Sequence, residues 1–188
     1  MYTTLVKRTF DVAAAVIALV VLSPLMSLVA LAIRLQDGGP VVFRQSRVGR
    51  NGELFGFLKF RSMPVGTPNV ESKQSHLIRV TPVGRFIRRT NIDELLQLVN
   101  ILRGDMSIVG PRPPIPTQTN LVRLRSENGA LRLRPGLTGW AQVNAYDNMP
   151  EEVKARFDGE YARRVSLLFD LRIILKTFVY MTKKPPTY

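Results

Sequence analysis

Residues 12–33, "VAAAVIALVVLSPLMSLVALAI", carry no charged side chain. As a helix rising about 1.5 Å per residue, this run spans roughly 33 Å, enough for a hydrocarbon core of about 30 Å. Lys7 and Arg8 flank one end; Arg34, then Arg44, Arg47 and Arg50, follow the other. Positive charge on both sides gives no orientation for a simple crossing, because cytoplasmic flanks are the ones enriched in Lys and Arg. Pro24 stands mid-run, where it removes a backbone donor and clashes with the carbonyl four residues back. Ser23 beside it can satisfy a freed carbonyl through its hydroxyl, which makes a break tolerable at membrane depth. Both facts are met by a segment that enters the membrane, turns near Ser23-Pro24 and leaves on the same side. The expectation is a re-entrant helix hairpin over residues 1–36, with Lys7 and Arg8 at the lipid head groups. The competing readings are a spanning helix and a secretory signal. Ala30-Leu31-Ala32 imitates a cleavage site, but the run exceeds the usual apolar core of about 7–15 residues.

The remainder, 37–188, is long enough for one core and shows no linker, repeat or low-complexity stretch, so it reads as a single small domain. A net charge of +13 points to polyanionic partners: phosphorylated metabolites, nucleic acid or an anionic membrane surface. The absence of cysteine excludes a disulfide framework and Cys-based zinc, and a single histidine, His76, argues against a histidine metal site. "DGGP" at 37–40 breaks the chain after the apolar run. Residues 41–63 read as two strands around Asn51-Gly52, a strong hairpin signal, with Lys59 and Arg61 alternating against Phe57, Leu58 and Phe60. A polar loop follows at 64–76. The segment 121–134 alternates Arg and Leu and suits either a membrane interface or a solvated helix face. Residues 151–166 and 167–181 read as two further helices, the first with acids early and arginines late, as the helix dipole prefers. The fold class expected is α+β, mostly helical, with interfacial amphipathic helices beside the membrane segment.

"FIRRTNIDELLQLVN", residues 86–100, places two adjacent acids, Asp93 and Glu94, just after Arg88 and Arg89. Asn91 three residues before Glu94 has the spacing of a capping box, which is a purely structural explanation. The helix that follows is marked by Leu95, Leu98, Val99 and Leu102 and ends at Gly104. "GDMSIVGPRPPIP", 104–116, then fixes Arg112 between two prolines. Locked proline dihedrals hold a side chain at low entropic cost, which suits an anion clamp better than a solvated surface arginine.

These stretches, taken in order, resemble the bacterial sugar transferases, monotopic phosphoglycosyl transferases that prime glycan assembly on polyprenol phosphate. The resemblance runs through "KRTFD", the "LSP" of the apolar run, "FRQSRVG", "FGFLKFRSM", "RRTNIDELLQLVNILRGDMSIVGPRP", "RPGLTGWAQVN" and "FDLRIILKT". It implies that Asp93 is the nucleophile that takes a phospho-sugar from a UDP-sugar, releasing UMP. It further implies that Glu94 binds Mg²⁺, that Lys59, Arg88 and Arg112 surround the phosphates, and that Ser23-Pro24 breaks a re-entrant helix. The acceptor implied is undecaprenyl phosphate, at the cytoplasmic face of the bacterial inner membrane, with downstream membrane glycosyltransferases as further partners and no nucleic acid. Leu96 stands where a proline is common, and Ala145 where a glycine is often seen; neither departure touches the acids.

The chemistry agrees with this division of roles. A carboxylate attacks a diphosphate only if the negative charge is cancelled, by fixed cations and a hard, oxygen-ligated metal. A non-enzymatic binder of polyanions would explain the arginines but not two acids among them. Direct phosphoryl transfer without a covalent step is separated from the two-step route by the resemblance alone.

Overall fold

A computed structural model describes residues 5–67, 80–144 and 149–181. His76, most of the polar loop at 64–76, Ala145 and the Lys-Lys-Pro-Pro tail lie outside the described residues. The apolar run belongs to one continuous helix, α1 (Lys7–Asp37), with Pro24 in its interior. Pro24 cannot donate to the Val20 carbonyl four residues back, and Ser23 Oγ donates to that carbonyl instead, at 2.8 Å. Residues 23 and 24 are therefore helical, not a connecting turn: the break expected there is one lost backbone bond, repaired by the neighbouring hydroxyl. The helix stops at Gly38, whose left-handed backbone (φ 68°) lets its N–H donate back to Arg34 O.

Both halves of α1 pack on the same body. Ala15 is buried with Phe57, Leu98, Ile101 and Met106, while Val29 and Ile33 are buried with Phe60 and Ile87. Between them Ile17, Val20, Val21 and Leu28 are largely exposed. The helix is long and apolar enough to cross a membrane, and most of that surface has no protein cover.

The hairpin is formed as expected. Strands β1 (Val42–Val48) and β2 (Leu54–Phe60) pair antiparallel, with Gln45 opposite Phe57 and Arg47 opposite Phe55. The turn takes positive φ at both Asn51 (56°) and Gly52 (88°), which Asn and Gly tolerate best. Phe57 goes into the core, so the same face carries Arg47 and Lys59 at its margin, each 5.3 Å from the Phe57 ring centroid. Arg61 lies beyond the strand, buried and paired with Asp37.

Helix α2 (Pro82–Arg89) begins with Thr81 accepting a hydrogen bond from Gly84 N and proline at its first position. Asn91 then adopts a left-handed conformation (φ 55°, ψ 15°) and turns the chain into a 3₁₀ turn, Ile92–Glu94. Ile92, Leu95 and Leu96 pack beside the Val29, Ile33, Phe60 and Ile87 cluster, so the turn with the acids is anchored on α1. Helix α3 (Gln97–Arg103) ends at left-handed Gly104, as its spacing predicts. Buried Asn100 ties α3 to β2: its side chain accepts from Leu58 N and donates to Gly56 O.

Strand β3 (Ser107–Val109) pairs in parallel with β4 (Gly136–Thr138), a contact that the sequence did not suggest. Helix α4 (Thr119–Glu127) lies between them, followed by α5 (Trp140–Asn144), α6 (Glu151–Arg164) and α7 (Leu167–Met181). Trp140, Tyr161, Phe169 and Ile173 build the core there around Val109. The basic segment 121–134 is not wholly a surface face. Arg125 is buried, and its guanidinium meets Asp158 of α6 at 2.6 Å. Helix α7 buries Phe169 and Ile173 and leaves Leu168, Leu175 and Phe178 exposed.

Candidate active site

The two acids differ in almost every respect. Glu94 Oε1 accepts from Lys59 Nζ and from Arg112 Nη2, both at 2.7 Å, and its Oε2 lies 3.4 Å from Arg112 Nη1. Burial pushes its pKa up, but the Arg112 and Lys59 charges outweigh that and hold it well below the usual carboxylate range. Asp93 is only 7% exposed and accepts no hydrogen bond from protein among the described residues; its nearest cation is Lys59, at 3.9 Å. Burial and the neighbouring Glu94 charge raise its pKa, against the pull of Lys59, Arg88 and Arg112. One carboxylate is held by two hydrogen-bonded cations; the other is desolvated and meets a cation only at 3.9 Å, without a hydrogen bond.

The capping box that the spacing of Asn91 and Glu94 would allow is absent. Asn91 makes no side-chain cap bond and sits in a left-handed turn, and the Glu94 side chain points to the cations. The structure thus decides between the two explanations of Glu94 in favour of charge.

Each cation is positioned by its own element. Lys59 comes from β2 and Arg112 from the proline-locked segment after β3. That segment is gripped on two sides: Val48 N donates to Pro114 O at 2.9 Å and Arg47 Nη1 to Pro113 O at 3.1 Å. Behind it, Arg125 Nη1 donates to Arg112 O at 2.8 Å while its Nε and Nη2 hold Asp158. Arg88, on α2, donates from Nε to Ser62 Oγ at 2.8 Å and faces Asp93 through its charge.

Comparison with known proteins gives this arrangement its context. A family model described as bacterial sugar transferase matches residues 2–184. The chain belongs to the bacterial sugar transferase family. It is 42% identical, over 92% of its length, to the UDP-glucose:undecaprenyl-phosphate glucose-1-phosphate transferase of Escherichia coli, of which it spans 39%. It is 36% identical to the undecaprenyl-phosphate galactose phosphotransferase of Salmonella typhimurium, over 97% of this chain and 41% of that one. The exopolysaccharide production protein ExoY of Sinorhizobium fredii is 39% identical and is matched over 83% of its length. The chain therefore spans well under half of the first two relatives and most of the third.

In this family member the structure brings Lys59, Asp93, Glu94 and Arg112 into contact and sets Arg88 within reach of Asp93 by charge. Ser23 and Pro24 lie apart, in mid-α1. Lys7 and Arg8 are engaged inside the protein. Lys7 Nζ pairs with buried Asp170 at 2.6 Å, and Arg8 donates to Ile101 O at 2.6 Å and Leu102 O at 3.0 Å, capping the end of α3. Sequence reasoning treated Arg47 only as a flanking charge and did not single out Arg125 or Asp158. The available signal was the arginine in a strand that alternates toward Phe57; nothing local marks the Arg125–Asp158 pair.

No group of three potential metal-ligating side chains occurs among the described residues. The donor set fits a hard divalent ion only if Glu94 supplies one carboxylate and substrate phosphates and water supply the rest, the usual arrangement for Mg²⁺. Glu94 Oε2, with its single 3.4 Å contact, is the oxygen with coordination capacity left.

Proposed function

We propose that the protein moves a phospho-sugar from a UDP-sugar to undecaprenyl phosphate in two steps, through a covalent intermediate on Asp93. The observation that carries this reading is the contrast between the acids. A buried carboxylate without a hydrogen bond keeps its lone pairs for attack, while its neighbour absorbs the cations that would otherwise quench it. In the first step an Asp93 oxygen attacks the sugar-bearing phosphorus, the bond to the bridging oxygen breaks, and UMP leaves with that electron pair. In the second, a phosphate oxygen of the acceptor attacks the same phosphorus and the Asp93 carboxylate departs intact. Lys59, Arg88 and Arg112 hold the phosphates and offset the charge that accumulates between them. Bound at Glu94, Mg²⁺ would neutralise the donor diphosphate and polarise it toward attack.

The substrates named for the relatives support this donor and acceptor class. The location that follows is the inner membrane at its cytoplasmic face, at the first membrane step of a glycan pathway, with membrane glycosyltransferases taking up the product. A re-entrant course for α1 is part of the same reading. It is supported by the cations at both ends, by the packing of both halves on one body and by the bond lost at Pro24. The exposed apolar face of α7 suits an interfacial position. Lys7 and Arg8 would meet lipid head groups only alongside the protein contacts that already hold them.

The test is a panel of UDP-sugars, UDP-glucose and UDP-galactose among them, with undecaprenyl phosphate and Mg²⁺, following UMP. Donor alone should release UMP stoichiometrically and add the phospho-sugar mass to the protein. Asp93→Asn should abolish both. UMP release only when acceptor is present, with no donor-dependent adduct, would replace the covalent route by direct transfer.

A further inference from the structure

Arg47 is a cation of the site to which the reading above assigns no role. It sits on β1 opposite Phe55, half-buried, with its guanidinium against the Phe57 ring on the face that also carries Lys59. Two of its nitrogens are committed to protein: Nε donates to Gln45 Oε1 at 2.9 Å and Nη1 to Pro113 O at 3.1 Å. Nη2 has no protein partner among the described residues, and none of the carboxylates described there pairs with Arg47. Burial and the charge of Arg112 push the Arg47 pKa down to about 10, which marks two guanidiniums held close in a partly desolvated place.

Such crowding is unfavourable unless an anion relieves it. Glu94 does so only in part, because its single charge is already shared between Lys59 and Arg112. An incoming group with two negative charges on neighbouring phosphates would satisfy both arginines. A guanidinium suits this double duty, because its planar fork can fix a backbone carbonyl with one nitrogen and present another to ligand.

We infer that Arg47 is a donor-binding residue, presenting Nη2 to the diphosphate of the nucleotide-sugar beside Arg112 while its Nη1 keeps the Pro111-Arg112-Pro113 segment in place. The inference rests on the UDP-sugar reading, whose own test is UMP release.

The experiment compares UDP, UMP and uridine binding to wild type, Arg47→Gln and Arg47→Lys, with thermal unfolding of each. Arg47→Gln should weaken UDP at least tenfold and leave uridine unchanged, because only the phosphates touch this side chain. Arg47→Lys should fall between, since it keeps charge and ring contact but loses the fork. In turnover both variants should raise the KM for UDP-sugar without changing that for undecaprenyl phosphate. If Arg47→Gln does not fold, the Arg47→Lys comparison decides alone. Equal losses for UDP and uridine, or unchanged UDP affinity, would reduce Arg47 to a support for Pro113 and overturn the inference. Wild-type protein that binds UDP yet releases no UMP from any donor would sink the reaction proposed above and leave the Arg47 comparison readable. Failure of wild type to bind UDP would overturn both.

Discussion

Replacing Asp158 with Asn isolates what lies behind Arg112. The Arg125–Asp158 pair is almost fully enclosed, with side-chain exposures of 4% and 1% and contacts of 2.6 and 2.8 Å. Removing the negative partner leaves a guanidinium buried without compensation, which costs about 3–5 kcal/mol. In a protein of this size each kcal/mol shifts the unfolding midpoint by about 2–4 °C, so Tm should drop by roughly 6–20 °C. A double replacement, Arg125→Met with Asp158→Leu, removes both charges and fills the space with apolar groups, which is often neutral or stabilising. It should recover most of the lost Tm. It should not recover donor binding, because Arg125 Nη1 no longer holds Arg112 O. The expected signature is therefore a stable protein with a raised KM for donor and an unchanged KM for acceptor. Thermal unfolding in detergent or nanodiscs, followed by the single tryptophan, Trp140, which packs in the core that α6 shares, reads the first part. Steady-state kinetics reads the second. A drop of less than about 2 °C for Asp158→Asn, or a double variant with normal donor KM, would refute the reasoning.

Four further outcomes follow, three from the site and one from α1. Because Asp93 has a raised pKa, kcat/KM should fall on the acid side with a midpoint above the ordinary 3.8; Glu94→Gln should move this limb to lower pH and Lys59→Met to higher pH. The same shift has a stability sign: protonated Asp93 suits the fold, a contribution present below 3.8 and lost as pH rises through its folded pKa. Asp93→Asn should thus raise Tm near neutral pH, and the gain should vanish in acid. Arg112→Ala should lower turnover more than tenfold, a loss of about 1.4 kcal/mol or more, and Arg112→Lys should not restore it. In this cysteine-free chain, single cysteines at Leu5 and Asn51 should be labelled from one side of the membrane; labelling from opposite sides would make α1 a spanning helix.

Local signals carried far in this sequence. Asn51-Gly52 announced the hairpin, Gly104 the end of α3, and the early acids and late arginines the helix α6, because each is set by backbone chemistry within a few residues. The acids and the proline-flanked arginine were legible for the same reason. What failed was what depends on distant partners. Asn91 has the composition of a cap, yet packing of Ile92, Leu95 and Leu96 against the α1 cluster draws the chain into a left-handed turn. Three-residue strands such as β3 and β4 carry too little alternation to be read. Arg125 looks like one more surface arginine until Asp158, thirty-three residues away, is placed beside it. Pro24 promises an interruption in sequence, yet α1 runs on through it, since the Ser23 hydroxyl repairs the one carbonyl that proline strands.

The adjacency of the acids now has a physical reason. In a 3₁₀ turn, three residues complete a turn, so consecutive side chains diverge by about 120°. Asp93 can face inward, away from hydrogen-bond donors, while Glu94 points toward Lys59 and Arg112. Lys59 still meets both acids, but at 2.7 Å from Glu94 and only 3.9 Å from Asp93, while Arg112 hydrogen-bonds Glu94 alone of the two. Side-chain length matters as well: Glu94 meets cations from two separate elements, each at 2.7 Å, and an aspartate there would be one methylene short of both. The order acid-short, acid-long therefore suits the division of work. The longer carboxylate gathers the cations that the proposed reaction needs for phosphate, and the shorter one is left buried beside them and costly to ionise, as the proposed nucleophile would be.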